Sequence, residues 1–228
     1  NKNLSQLKTK ENVSEFFNEV FADAVPNMPT LLDDFFANPT GNLLTVKCFP
    51  WHINDKAILL GDAAHAVVPF FGQGMNCCFE DCYNFDLLVE KHKNNWSAIY
   101  EEFGNLRKEN TDAIADLAVE NFVEMRDLVA NPTFMLKKKA DVLLEEKFPE
   151  NFISKYSMVT FHRFPYAVAK QRGQIQDKIL MELCSKITTI EELNLEDAIS
   201  KIKDEFRRNG IEEKTAFSTI RLNPYFTP

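Results

Sequence analysis

The stretch Ala57-Ile58-Leu59-Leu60-Gly61-Asp62-Ala63-Ala64-His65, followed by Pro69-Phe70-Phe71-Gly72-Gln73-Gly74-Met75-Asn76, decides how this chain is read. The apolar run Ala57 to Leu60 predicts a short strand buried on both faces. Such a strand delivers Asp62 to its carboxyl end, where ligands bind in open α/β sheets. Small residues at 61, 63 and 64 let another chain or a ligand approach the backbone closely. After Pro69 comes a glycine-bracketed turn and then a predicted helix start, so the N–H groups of residues 72 to 76 point outward at a positive dipole end. An electron-poor heterocycle that becomes anionic on reduction suits that end. Asp62 is placed to accept hydrogen bonds from a sugar-like hydroxyl chain. A plainer alternative, in which Asp62 caps the turn and the glycines only shape it, accounts for the same residues, and both stay open at this point. The turn is not a phosphate loop of the Gly-x-Gly-x-x-Gly type, because Cys77 stands at the third position.

Around this stretch lie 228 residues with a formal net charge of −8, which argues against nucleic acid or an anionic membrane as the main partner. Apolar residues make up 45% and charged residues 26%, too apolar a balance for disorder. Gly is scarce, at seven residues, so helix is expected to dominate. Phe is abundant, at twenty, which suits a large core or a flat apolar ligand. No uncharged run approaches the length needed to span a bilayer. The start, Asn1-Lys2-Asn3-Leu4, has neither a signal pattern nor an initiator Met, so residue 1 is not expected to be the first codon. Five cysteines (Cys48, Cys77, Cys78, Cys82, Cys184) form no disulfide framework and fit a reducing cytoplasm.

Helices are predicted from Asn12, as a cap, to Pro26, and over 30 to 37 behind Pro29. Residues 43 to 49 alternate and predict a strand with one buried face. From 76 to 91 the pattern is helical, with Cys78, Cys82, Phe85 and Val89 on one side. Further helices are predicted at about 95–109, 111–130, 133–147, 165–187 and 195–208, separated by Asn131-Pro132, Phe148-Pro149 and Asn209-Gly210. The tail from Ile211 to Pro228 is expected to run extended, and Lys137-Lys138-Lys139 to form a solvated helix face. Two or three strands cannot enclose a strand buried on both sides. The chain therefore reads as the later half of a larger protein whose remaining strands lie elsewhere.

Among single residues, Asn121 falls in the middle of an apolar helix face with Ile114, Leu117, Ala118, Met125 and Leu128. An unsatisfied buried amide costs about 1–3 kcal/mol, so it needs a partner, either a core hydrogen bond to another helix or a ligand. Tyr156 alone reads as a core tyrosine with its hydroxyl on a carbonyl. Cys77, Cys78 and Cys82 make no metal site by spacing, because only Cys78 and Cys82 share a face and no His lies at ligand spacing. His65 reads as a turn residue, and His52, His92 and His162 lack convergent partners.

Gly61-Asp62-Ala63-Ala64-His65 with Pro69 and Gly72-Gln73-Gly74-Met75-Asn76 resembles the second FAD-binding motif of class A flavin monooxygenases, the aromatic hydroxylases. Phe79-Glu80-Asp81, Asn121-Phe122-Val123-Glu124-Met125-Arg126 and Tyr156-Ser157-Met158-Val159-Thr160-Phe161 narrow the resemblance, which runs from about Val13 to Arg172, to the kynurenine 3-monooxygenase family. It implies an α/β FAD-binding flavin-monooxygenase fold, of which this part is mostly α with two or three strands. Residues 1–50 are then the end of a substrate-domain segment, 51–91 the second FAD motif, and 92–228 a helical C-terminal region. The implied cofactor is bound FAD, with NADPH as cosubstrate and L-kynurenine and dioxygen as substrates. Asp62 would bind the ribityl hydroxyls, and Gly72, Gly74, Met75 and Asn76 the pyrimidine edge of the flavin. Pro69 and Phe70, with Phe71, would flank the reacting face as the catalytic pair, and Asn121 and Tyr156 would contact substrate. Excluding water from the hydroperoxide formed there is one use for so many phenylalanines. Cys78 stands where the family usually has Gly, next to the flavin. The Gly-x-Gly-x-x-Gly segment, and the Arg and Tyr that hold the substrate carboxylate, belong to a missing N-terminal half, so this piece alone is expected to be inactive. The implied setting is cytoplasmic, without nucleic acid or a membrane segment. Another class A aromatic hydroxylase and a truncated, non-catalytic helical module are the rival readings.

Overall fold

The computed structural model describes residues 4–211, which fall into two compact units divided between Leu43 and Leu44. In the first unit, helix α1 spans Lys10–Val20 and α2 spans Leu31–Ala37. The Thr9 hydroxyl, not Asn12, caps α1, accepting the Asn12 N–H at 3.3 Å. Asn12 therefore occupies the third helical position, because Thr9 is the residue whose extended backbone lets its side chain fold back onto the open amides. Phe16, Phe17 and Phe21 pack ring against ring, and Phe35 of α2 meets Phe17 edge-on at 6.3 Å.

The second unit opens with a two-stranded antiparallel sheet, β1 (His52–Ile53) and β2 (Ala57–Ile58), in register His52–Ile58 and Ile53–Ala57. The alternation at 43–49 produces no strand. Val46 donates its N–H to the Ala66 carbonyl at 2.8 Å, and no strand among the described residues lies alongside to complete a ladder. Nor is the run at 57–60 buried on both faces: Ala57 and Leu59 are exposed, since β1 is its single described neighbour.

The rest is helical: α3 (Asp62–His65), α4 (Gly74–His92), α5 (Trp96–Val123), α6 (Pro132–Lys147), α7 (Lys155–Thr160), α8 (Tyr166–Cys184) and α9 (Leu195–Arg208). The described fold is thus mostly α with one two-stranded sheet. Where two helices are predicted across 95–130, one runs without a break at Asn110. That side chain accepts the Ala167 N–H at 3.1 Å, tying α5 to the start of α8 instead of ending a helix. After Val123 the helix widens into a π turn, Glu124–Leu128. Helix α7 was not predicted as an element. It begins at Ser154, whose hydroxyl accepts the Ser157 N–H.

The inward stripe of α4 is Cys77, Asp81, Asn84 and Leu88, one step out of phase with the predicted Cys78, Cys82, Phe85 and Val89. Hydropathy favours the latter set, but Asp81 is paired and its face goes inside. The core around α4 and α5 holds Trp51, Leu88, Ile99 and Phe103, and a second cluster joins Phe71 to Ile114, Leu117 and Met158. Burial of each such Leu, Ile or Phe contributes about 1.5–3 kcal/mol. A third cluster, of α6, α8 and α9, centres on Leu144, Leu180, Ile202 and Phe206.

The lysine run does not form a solvated face. Lys137 is 2% exposed and pairs with Asp141 and Asp177, and Lys138 reaches Glu124 at 3.2 Å. Lys139 alone of the three is exposed. Among the described residues no helix is long and apolar enough to cross a membrane. The tail expected as extended lies, beyond Ile211, outside the described residues.

Candidate functional site

Gly61 adopts φ +57° and ψ −139°, a conformation open essentially to glycine, and an added Cβ there would lie 3.0 Å from the Cys78 Sγ. This turn sets the exposed Asp62 against the first turns of α4: its Oδ1 lies 3.8 Å from the Cys78 sulfur. Helix α4 starts at Gly74 behind Gln73 with no side-chain cap, as do α2, α3 and α8, whereas Thr9, Asn95, Asn131, Ser154 and Asn194 cap α1, α5, α6, α7 and α9. Its first amides are therefore left to a ligand or water. Gly72, in the left-handed region at φ +66°, turns the chain from the 69–71 turn into α4. Asp62, Gly72, Met75 and Asn76 are all exposed, and the Asn76 amide donates to Gln73 Oε1 at 3.0 Å. The Cys78 sulfur stands against the face of Gly61 where a side chain would otherwise project.

Gly61→Ala is expected to cost about 1–3 kcal/mol from backbone strain, plus the clash with Cys78. Cys78→Ala in the same background should restore the steric part and leave the backbone part. Thermal unfolding midpoints of the two single variants and the double variant separate these contributions. Equal midpoints for Gly61→Ala and the double variant would remove the steric one.

Behind this face lies a buried knot. Asp81, 1% exposed, accepts the Gly61 N–H at 3.1 Å, His65 Nε2 at 2.5 Å and Arg107 Nε at 2.7 Å. Arg107 also pairs with Glu80 at 2.9 Å and donates to the Cys77 carbonyl at 3.3 Å. Burial works to raise the Asp81 pKa, but the His65 hydrogen bond and the Arg107 charge outweigh it and hold the carboxyl below the usual range. Burial pushes the Cys77 thiol up to about 12, against the pull of Arg107. His65 is therefore no simple turn residue but a buried partner of Asp81. The fold also brings His65, Cys77 and Asp81 to metal-ligand separations, although no His stands at ligand spacing in sequence. Arg107 supplies the cation of this cluster: its guanidinium bonds Asp81 and lies 3.6 Å from the Cys77 sulfur. A protonated thiol and an ion-paired carboxylate are poor ligands.

The remaining candidates meet at the 69–71 turn. Asn121 donates its amide to the Phe70 carbonyl at 2.7 Å, so its partner is a turn carbonyl and not another helix. Phe70 packs on Phe122 with ring centroids 4.6 Å apart. Tyr156 is not a core residue: it is 47% exposed, stacked on Phe71 at 5.9 Å, with Phe161 edge-on at the same distance. Met125, expected on the apolar face, is exposed where the π turn begins. A cavity of about 400 Å³ lies between α4, α5 and the 159–166 segment, lined by Gln73, Asn76, Arg107, His162 and Tyr166 among others. Asn76 is the single candidate bordering it. The Tyr166 hydroxyl, whose pKa burial drives up, donates to Gln73 at 3.1 Å.

Asp81, Arg107 and Gln73 were missed as site residues. The usable signal was ionisable residues falling in phase with buried stripes: Asp81 with Cys77 and Leu88, and Arg107 with Phe103 and Ile114.

A family model described as an FAD binding domain matches residues 46–92, from the segment before β1 to the end of α4. Kynurenine 3-monooxygenase of Myxococcus xanthus is 43% identical over 216 residues, covering 95% of this chain and 46% of that protein. The Dictyostelium discoideum kynurenine 3-monooxygenase is 46% identical over 192 residues, covering 79% of this chain and 42% of its own length. That of Legionella pneumophila strain Corby is 41% identical over 194 residues, covering 85% and 43%. The chain spans a little under half the length of the curated relatives it matches. In sequence, this chain is thus a relative of the kynurenine 3-monooxygenases, with a stretch of FAD binding domain at residues 46–92.

Proposed function

We propose that the complete protein carrying this chain is an FAD-dependent, NADPH-using monooxygenase of the flavin-monooxygenase fold that converts L-kynurenine to 3-hydroxykynurenine. In this reading the chain contributes one wall of the flavin site and part of the substrate pocket. The observation that carries it is the common exposed face of Asp62 and the uncapped N-terminus of α4, inside the segment that matches an FAD binding domain. A carboxylate beside unpartnered amides suits a ligand with hydroxyl donors on one side and carbonyl acceptors on the other.

When bound, FAD would supply the redox chemistry that joins NADPH and dioxygen to ring hydroxylation. The residues of this chain do the rest. Asp62 would accept hydrogen bonds from the ribityl hydroxyls, and the amides of Gly74, Met75 and Asn76 would meet the pyrimidine edge, with Gly72 letting the chain turn closely there. The dipole of the long α4 favours negative charge at the same end. Pro69 and Phe70 wall the reacting side, where Phe71 and Phe122 help to exclude water. Asn121, its amide nitrogen held by the Phe70 carbonyl, presents its oxygen to substrate, and Tyr156 closes the pocket beside Phe71.

The test is turnover by the complete protein with L-kynurenine and, separately, with phenolic acids. NADPH oxidation coupled to 3-hydroxykynurenine, identified by mass spectrometry, is the expected result. Turnover of phenolic acids alone would assign the chain to another aromatic hydroxylase. A protein that neither retains FAD nor oxidises NADPH would make it a non-catalytic helical module.

A further inference from the structure

Three pairwise contacts close a triangle around the candidate substrate side. Asn121, near the end of α5, bonds the Phe70 carbonyl, and Phe71 of the same turn stacks on Tyr156 of α7. The third side returns from α7 to α5: Lys155, next to Tyr156, donates its Nζ to Glu124 Oε1 at 2.8 Å, at the first position of the π turn. Lys155 also pairs with Asp177 of α8 at 2.6 Å, and its side chain is 7% exposed. Its aliphatic stem crosses α8 where Gly173 leaves room. A Cβ on Gly173 would come within 2.5 Å of Lys155 Cγ and 2.7 Å of its Cβ.

The three sides differ in stiffness. One amide bond and one ring stack allow sliding, whereas a buried ammonium among three carboxylates, Glu124, Asp177 and, at 3.8 Å, Glu120 of α5, fixes position. The π turn is a local widening of the helix, and its first residue, Glu124, is held by both Lys155 and Lys138. We infer that Lys155 is a positioning residue: through its ion pair with Glu124, and with Gly173 making way for its stem, it sets the spacing between Asn121 and Tyr156 across the substrate pocket. Lys137 is a natural control. It shares Asp177 and is buried even more deeply, but it pairs with Asp141 instead of Glu124.

The inference rests on the kynurenine reading, and the experiment separates the two. In the complete protein, Lys155→Met should raise the apparent KM for L-kynurenine about tenfold, with kcat within about threefold of wild type. The FAD dissociation constant should not change. Lys155→Arg, which keeps the charge, should recover part of the KM, and Lys137→Met should lower thermal stability without moving KM. Should Lys155→Met fail to accumulate, Gly173→Ala displaces the same stem while keeping every charge, and it should raise KM in the same way. An unchanged KM in folded Lys155→Met or Gly173→Ala overturns the inference, as does an equal rise in Lys137→Met. Absence of kynurenine turnover in the wild type instead overturns the functional reading, and the inference with it.

Discussion

Replacing Arg107 by Met is expected to lower the unfolding free energy of the protein by about 3–5 kcal/mol, because it strands a buried carboxylate. Asp81 is 1% exposed and has Arg107 as its fixed cationic partner, at 2.7 Å. Without the guanidinium, His65 and the Gly61 N–H remain as donors to Asp81, and Glu80 loses a partner too. Combining Arg107→Met with Asp81→Asn should recover much of the loss. The double variant has no buried unpaired carboxylate, and an Asn oxygen still accepts the Gly61 N–H. Urea unfolding of wild type, both single variants and the double variant forms the thermodynamic cycle. A double variant as unstable as the sum of the singles, or an Arg107→Met protein as stable as wild type, would contradict the ion-pair account. The same cycle reaches function, because Asp81 holds the backbone N–H of the residue that aims Asp62. FAD affinity should fall in Arg107→Met and return in part in the double variant.

The parts of the fold legible in the sequence are those set by local rules. Helix α9 runs to Arg208 as predicted because Asn194 caps its start and Asn209-Gly210 ends it. Pro132 behind Asn131 likewise opens α6. The strands were less legible. An apolar run such as Ala57 to Leu60 records what a strand packs against, and the described neighbours of β2 amount to β1 alone. The boundary expected between 109 and 111 is absent because the Asn110 side chain serves the α8 amide from within a continuous helix. Charged residues were the hardest to place. Nothing in Lys137-Lys138-Lys139 distinguishes a solvated face from a buried pair until Asp177, some forty positions on, is seen beside it. Asn121 shows the opposite case: a polar residue amid an apolar stripe announces a partner, though not that the partner is the Phe70 carbonyl. At the candidate site, Gly61 and Asp62 stood out by residue type, while Asp81 and Arg107 were visible only through their phase on helices whose inward faces had to be known first.

The account rests on Asp62 and the open end of α4 jointly holding the flavin. The most direct test is the FAD dissociation constant of the complete protein, measured by flavin fluorescence for wild type, Asp62→Asn and Asp62→Ala. Loss of charge-assisted hydrogen bonds to the ribityl chain should weaken binding about tenfold to a hundredfold in Asp62→Ala, with Asp62→Asn between the two. An FAD affinity that is the same in all three proteins would place the flavin elsewhere and contradict the account.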